Sequence, residues 1–207
     1  MVNSPASSKT RGEDGSATVE FVTIMPFFMI VALLVMEVTL AMYWWKAAEK
    51  AAYIGARAAV VSAPVATGLP ATNRRKDSTV TYGSPCSSTG TDPCGGGFCT
   101  GDGTGCVTTL TCTAGTTGCD SAAFTRVLTA MQSIFGVIKA SQVTITYRYI
   151  GLGFAGGQVA PLITVKLSGI PFQTGFVGIV GNLLGDKGHP LVTLPDMTAT
   201  LTGEDLN

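Results

Sequence analysis

A chain of 207 residues has room for one membrane element and one modest domain. Its 13 basic and 13 acidic residues cancel, and its mean hydropathy is +0.38, so the basic face that nucleic acid requires is not expected. Much of the hydrophobicity sits in one N-terminal segment, which leaves an ordinary globular composition, rich in Gly and Thr, for the rest.

Residues 1–15 are polar, with Lys9 and Arg11 balanced by Glu13 and Asp14. From Phe21 to Trp45 the chain is apolar, interrupted by Thr23, Pro26, Glu37 and Thr39. As a helix this run is about 37 Å long at roughly 1.5 Å per residue, enough to cross a hydrocarbon core of about 30 Å. It is too long for the apolar core of a secretory signal peptide, and no Ala-x-Ala follows it directly. The small-residue step comes before it, at Gly15. Pro26 removes one helix hydrogen bond and predicts a kink or local irregularity. Trp44, Trp45 and Lys46 read as an outer interfacial belt. Positive-inside counting does not choose an orientation, because Lys46, Lys50 and Arg57 follow the run as closely as Lys9 and Arg11 precede it.

The Ala-rich stretch from Lys46 to Val61 has no proline until Pro64, and Ala is the best helix former. One long helix over about residues 18–62 is therefore expected, with residues 16–45 in the membrane and 46–63 continuing beyond it. Ala47, Ala51, Ile54 and Ala58 are the expected packing face. Arg57 falls on the more polar side, where a solvated arginine is the common outcome.

Residues 64–120 read as a loop region. The run Asn73-Arg74-Arg75-Lys76-Asp77-Ser78 suits a solvated loop better than a headgroup contact, and Val80 to Tyr82 suggests a short strand. All six cysteines, Cys86, Cys94, Cys99, Cys106, Cys112 and Cys119, fall within residues 86–119 of this region. An even, clustered set beyond a membrane segment reads as a disulfide framework in the periplasm or outside the cell. Zinc is the competing reading, but no Cys-x-x-Cys knuckle is present and the one histidine, His189, lies far away. Spacing leaves all fifteen pairings open. The segment carries few large apolar side chains, so cross-links must hold it. Gly101-Asp102-Gly103-Thr104-Gly105 hints at calcium, but Asp102 lacks the further ligands such a loop needs.

Residues 121–207 read as an α+β head. Asp120 or Ser121 caps a helix over about residues 121–138, with Phe124, Val127, Leu128, Met131, Ile134, Phe135 and Ile138 at helical spacing. Val143, Ile145, Tyr147 and Tyr149 alternate with polar residues as a strand. A second strand follows over about 159–167, where Pro161 implies an edge position or a late start. The apolar, glycine-punctuated stretch from Pro171 to Gly185 is too short to span a bilayer; it suits a short helix or loop over the sheet, or an exposed patch. A last strand lies within Leu191 to Thr202, with Met197, Ala199 and Leu201 on one face. No Walker loop or dinucleotide fingerprint is present, and a nucleophile–histidine pair would hang on His189 in a Gly-His-Pro turn. An enzyme is not expected, and neither a cofactor nor a metal.

Gly15-Ser16-Ala17-Thr18-Val19-Glu20-Phe21 directly before the apolar run resembles the prepilin-peptidase site of type IV pilin-like proteins. With Pro26, Glu37 and Ala-Tyr-Ile-Gly-Ala-Arg-Ala-Ala-Val at residues 52–60, the chain resembles the TadE-like family of minor pilins, or pseudopilins, of the tight-adherence (Tad, Flp-type) pilus; the TadF sister type is not separable from it by these residues. The resemblance covers roughly residues 15–60 and implies a pilin-like fold, a long N-terminal helix packed on a small antiparallel sheet. It implies cutting by a prepilin peptidase between Gly15 and Ser16, with Glu20 meeting the N-terminal amine of a neighbouring subunit and Phe21 completing the site. Glu37, about two turns below the Trp44–Trp45 belt, either reaches the headgroups or meets a partner helix, and the cost of an unpaired acid within the membrane favours the partner contact; Arg57 matches the family's Gly-Ala-Arg step and is a further partner candidate. The implied partners are the peptidase, other Tad/Flp pilins and inner-membrane platform proteins. The implied location is the bacterial inner membrane, N-terminus cytoplasmic and bulk periplasmic, with possible passage into a pilus that serves adhesion. The alternative is an unprocessed, single-pass anchored envelope protein whose disulfide-bonded head binds a partner.

Overall fold

The computed structural model describes residues 14–99, 105–173, 175, 178 and 191–203. The chain divides into two compact units, Met1–Met42 with Gln173–Pro190 and Tyr43–Phe172 with Leu191–Asn207.

Helix α1 spans Asp14–Val61, and its helical backbone continues through Pro26. From Ala17 to Val61 it is long and apolar enough to cross a membrane, with a mean hydropathy of 2.4 over its most apolar window. In the first unit, Phe21, Ile24, Phe27, Phe28, Ile30, Leu34 and Val38 are exposed all round the helix. Water would penalise such a surface and hydrocarbon would not. The two threonines within the run turn inward on the backbone: Thr23 donates to the Val19 carbonyl and Thr39 to the Val35 carbonyl, both at 2.8 Å, so neither hydroxyl needs water. The apolar helix indicates single-pass membrane anchoring.

In the second unit α1 changes character. Ala48, Ala51, Ala52, Gly55, Ala56 and Ala59 are buried, while Lys46, Lys50, Tyr53, Arg57 and Val61 form an exposed line. The packed face is thus rotated from the expected one: Ala51 belongs to it, and Ala47, Ile54 and Ala58 are half-buried flanks. The smallest side chains, rather than the largest apolar one, mark where another element approaches.

Against this face lies the α+β head. Strands β1 (Thr109–Thr113), β2 (Val143–Arg148) and β3 (Leu162–Leu167) precede β4 (Pro171–Gln173) and β5 (Leu191–Thr193), which pair as a separate two-stranded sheet, and β6 (Met197–Thr202) follows. The main sheet is antiparallel in the order β1-β2-β3-β6. Its register aligns Cys112, Ile145, Val165 and Ala199 in one row and Leu110, Tyr147, Ile163 and Leu201 in the next. These rows are the apolar face. The opposite face carries Thr111, Thr146, Thr164 and Thr200, the period-two alternation of a half-buried sheet.

Helix α2 spans Ser121–Gln132 and begins at Asp120, whose carboxylate accepts the N–H groups of Ala122 at 2.7 Å and Ala123 at 3.1 Å. It ends a turn and a half earlier than its apolar spacing implies. The carbonyls at its end are taken up by the N–H groups of Ser133, Ile134 and Phe135 and by Ser133 Oγ, which donates to the Ala130 carbonyl. Gln132 Nε2 donates to the Ile138 carbonyl of the following turn, which carries Phe135 and Ile138 into the core.

Other expectations are corrected. Val80 to Tyr82 forms a turn, not a strand. The cysteine-rich segment supplies β1, hidden in the sequence because Thr-Leu-Thr-Cys-Thr shows little hydrophobic contrast. β3 starts at Leu162, directly after Pro161, the late start that Pro161 implied. Pro195 divides the final stretch into β5 and β6. In the Pro171–Gly185 stretch, β4 is a strand and Gly175 and Gly178 are helical; Phe176, Ile179, Val180, Leu183 and Leu184, like Asp102, His189 and residues 1–13, lie outside the described residues.

Candidate functional site: the N-terminal helix and its cross-linked head

Gly15 and Ser16 lie in the first turn of α1, which begins at Asp14, four residues earlier than expected. A peptidase acts on an extended chain, so access to this bond requires unwinding a turn whose first N–H groups have no helical partner in any case. Glu20 and Phe21 follow on the helix and are exposed. Seventeen positions along, Glu37 is half-buried within an otherwise exposed apolar stretch. Gly175, in the same unit, approaches it closely: a side-chain carbon there would lie 3.7 Å from Glu37 Oε1. Arg57 is exposed on the side of α1 opposite its packed face. The helix therefore separates the candidates by its length and does not gather them into one site.

Gly55 marks a close approach to the head. A Cβ at this position would sit 2.7 Å from both Cγ and Sδ of Met131 and 3.4 Å from Val165 Cγ1. Only glycine lets α2 and the sheet come this near. At the far end of α1, Tyr147 reaches across the core, and its hydroxyl accepts the Val65 N–H at 3.0 Å. Burial pushes the Tyr147 phenol up, opposed by that hydrogen bond.

The cysteines pair as Cys86–Cys94, Cys99–Cys106 and Cys112–Cys119, each with its neighbour in sequence. Asp92, which sequence reasoning missed, organises the first of these loops. It is 8% exposed and accepts the N–H groups of Ser87 at 3.0 Å, Cys94 at 2.8 Å and Gly96 at 3.0 Å, together with the Tyr149 hydroxyl. Burial pushes its carboxyl up, but the Tyr149 hydroxyl and the three N–H donors outweigh that and hold it below the usual carboxylate range. Burial first, and then the same carboxylate, push the Tyr149 phenol up, so it stays protonated and donates. The signal was present in Asp92-Pro93-Cys94-Gly95-Gly96, where an Asp before Pro and paired glycines suits an Asx-type turn. Cys86, Asp92 and Cys94 offer ligand atoms within 4.8 Å of one another, yet the two sulfurs are bonded to each other, which removes the thiolates that zinc needs.

The basic run is tied into the head. Arg75 lies 4.1 Å over the Tyr82 ring and donates Nη1 to the Val80 carbonyl at 3.2 Å. Asn73 is buried; its Nδ2 donates to the Gln158 carbonyl at 3.0 Å, and its backbone pairs with Gly156 and Gly157. A groove of about 660 Å³ opens beside them, lined by Arg74, Arg75, Lys76 and Tyr82.

A protein-family profile described as TadE-like protein matches residues 15–57. The match begins at the candidate processing glycine, ends at Arg57, and lies entirely on α1. This segment is TadE-like. No curated protein and no solved structure matches the chain significantly.

Proposed function

We propose that the protein is a minor pilin or pseudopilin of a Tad-type pilus, cut by a prepilin peptidase between Gly15 and Ser16. The observation that supports this is the TadE-like match over residues 15–57, a stretch of α1 that carries Gly15, Glu20, Phe21, Glu37 and Arg57. Cutting would leave Ser16 as the new N-terminus and Glu20 as the fifth residue. Near the bilayer that carboxylate requires a counter-charge, which the freed amine of a neighbouring subunit supplies. Lateral packing of apolar helices then drives incorporation, with Glu37 as a contact inside the membrane and Arg57 as one outside it. The helix holds the chain in the inner membrane, N-terminus cytoplasmic, until assembly partners extract it. The head serves as a binding surface in priming or at a tip, in adhesion, and not as a catalyst.

The test is the N-terminal residue of the chain produced alongside a Tad-type prepilin peptidase, read by intact mass. A start at Ser16, abolished by Gly15→Val or by omitting the peptidase, supports the proposal. An uncut leader in the mature protein sinks it in favour of a permanently anchored envelope protein whose head binds a partner.

A further inference from the structure

The geometry points to a second lipid contact, made by the head itself through the turn that follows α2; it rests on the reading of residues 21–45 as a membrane span. Helix α2 runs back along the outer part of α1. At its start, the Asp120 N–H donates to the Val65 carbonyl at 2.7 Å, just past the end of α1. Farther along, Met131 meets Gly55. Beyond its end, the Phe135 ring packs edge-on against Trp44, centroids 5.3 Å apart, and Phe172 of β4 packs on the same indole at 5.6 Å. The order of contacts along α1 is reversed, so α2 and its turn descend toward the Trp44–Trp45 belt, where an indole sits at the headgroup level.

The surface changes chemistry as it reaches that level. Along α2, past Ala122 in its first turn, the exposed side chains are polar: Thr125, Arg126 and Thr129. In the turn, Phe135 is buried against Trp44, while Ile134 and Val137 on either side of it are 38% and 49% exposed. Trp45 on α1 is 42% exposed, and Lys139 follows the turn, also exposed. Apolar groups continuous with the end of a membrane span, followed by a cation, are the composition of an interfacial segment. The apolar groups enter the boundary between headgroups and acyl chains, and the ammonium meets anionic headgroups. The occupant of this rim is the lipid surface, and the head is seated on the bilayer instead of hanging from a free stalk.

The test uses the full chain, disulfides intact, in vesicles of phosphatidylethanolamine and phosphatidylglycerol. A spin label is carried on an encoded non-natural residue at one of three positions. Val31 lies within the span. Val137 lies on the rim. Phe154, equally apolar and exposed, lies beyond the opposite end of β2, the end at which Tyr147 meets Val65. Collision with oxygen, which concentrates in lipid, is compared with collision with a water-soluble nickel chelate. The expected result is a lipid-type ratio at positions 31 and 137 and a water-type ratio at 154. A water-type ratio at 137 with a lipid-type ratio at 31 overturns the rim and leaves the span intact. A water-type ratio at both removes the span, and the rim with it.

Discussion

The Tyr147 hydroxyl accepts the backbone N–H of Val65 across 82 positions of sequence, and both residues are completely buried. This one bond joins the end of the long helix to the second strand of the sheet. Tyr147→Phe keeps the ring and leaves the Val65 N–H buried without a partner, a loss of about 1–3 kcal/mol. Urea unfolding of the detergent-solubilised chain, followed by tyrosine and tryptophan fluorescence, checks it; an unchanged midpoint would show that water replaces the hydroxyl.

Gly55→Val is expected to lower stability by about 1–3 kcal/mol through overpacking. The added carbons meet Met131 and Val165. Combined with Met131→Ala, the valine gains the vacated space, so the double variant should be more stable than the sum of the two single losses implies. Strict additivity would mean that the two positions do not touch.

Asp92 predicts acid sensitivity. Its folded-state pKa is depressed below the ordinary 3.8. Its contribution is therefore fully present above that value and is lost as pH falls through the lower, folded-state pKa. Asp92→Asn should destabilise the head at pH 7, where the carboxylate would otherwise collect its N–H and O–H donors. The gap between variant and parent should narrow as pH falls below about 3.8. Thermal unfolding at a series of pH values reads both; a gap that does not depend on pH would show that the charge contributes nothing.

Peptide mapping without reductant should recover Cys86–Cys94, Cys99–Cys106 and Cys112–Cys119. Each loop is short, and in the chain-entropy picture a ring of this size contributes about 2–3 kcal/mol. Replacing Cys112 and Cys119 by serine should cost more than replacing Cys99 and Cys106. Cys112 sits in the main sheet opposite Ile145 and is 1% exposed, so that change also places a hydroxyl in the core.

The long helix was legible because apolar length and alanine content are local properties, and β2 because its alternation is clean. The α2 boundary was not, since apolar spacing persists through Phe135 and Ile138 after the backbone has turned. β1 was hidden by threonines, which suit a strand without marking a face. Asn73 and Tyr147 owe their importance to partners distant in sequence, which no residue pattern encodes; Asp92 carries a local turn signal, but its Tyr149 partner lies 57 positions away. The family resemblance singled out Gly15, Glu20 and Phe21 as the proposed processing site, yet it could not foresee that Gly15 and Ser16 fall inside the first helical turn.

Because the bridges join consecutive cysteines, first to second, third to fourth and fifth to sixth, the order of oxidation can follow the order of synthesis. Loops of this size close in roughly 10–100 ns, far faster than the thiol chemistry itself. Once in an oxidising compartment, Cys86 can be sealed to Cys94 before Cys112 has arrived. No bridge waits for a distant partner, and none must be broken to admit a later one. The head can thus be cross-linked vectorially, while its final strand is still unmade.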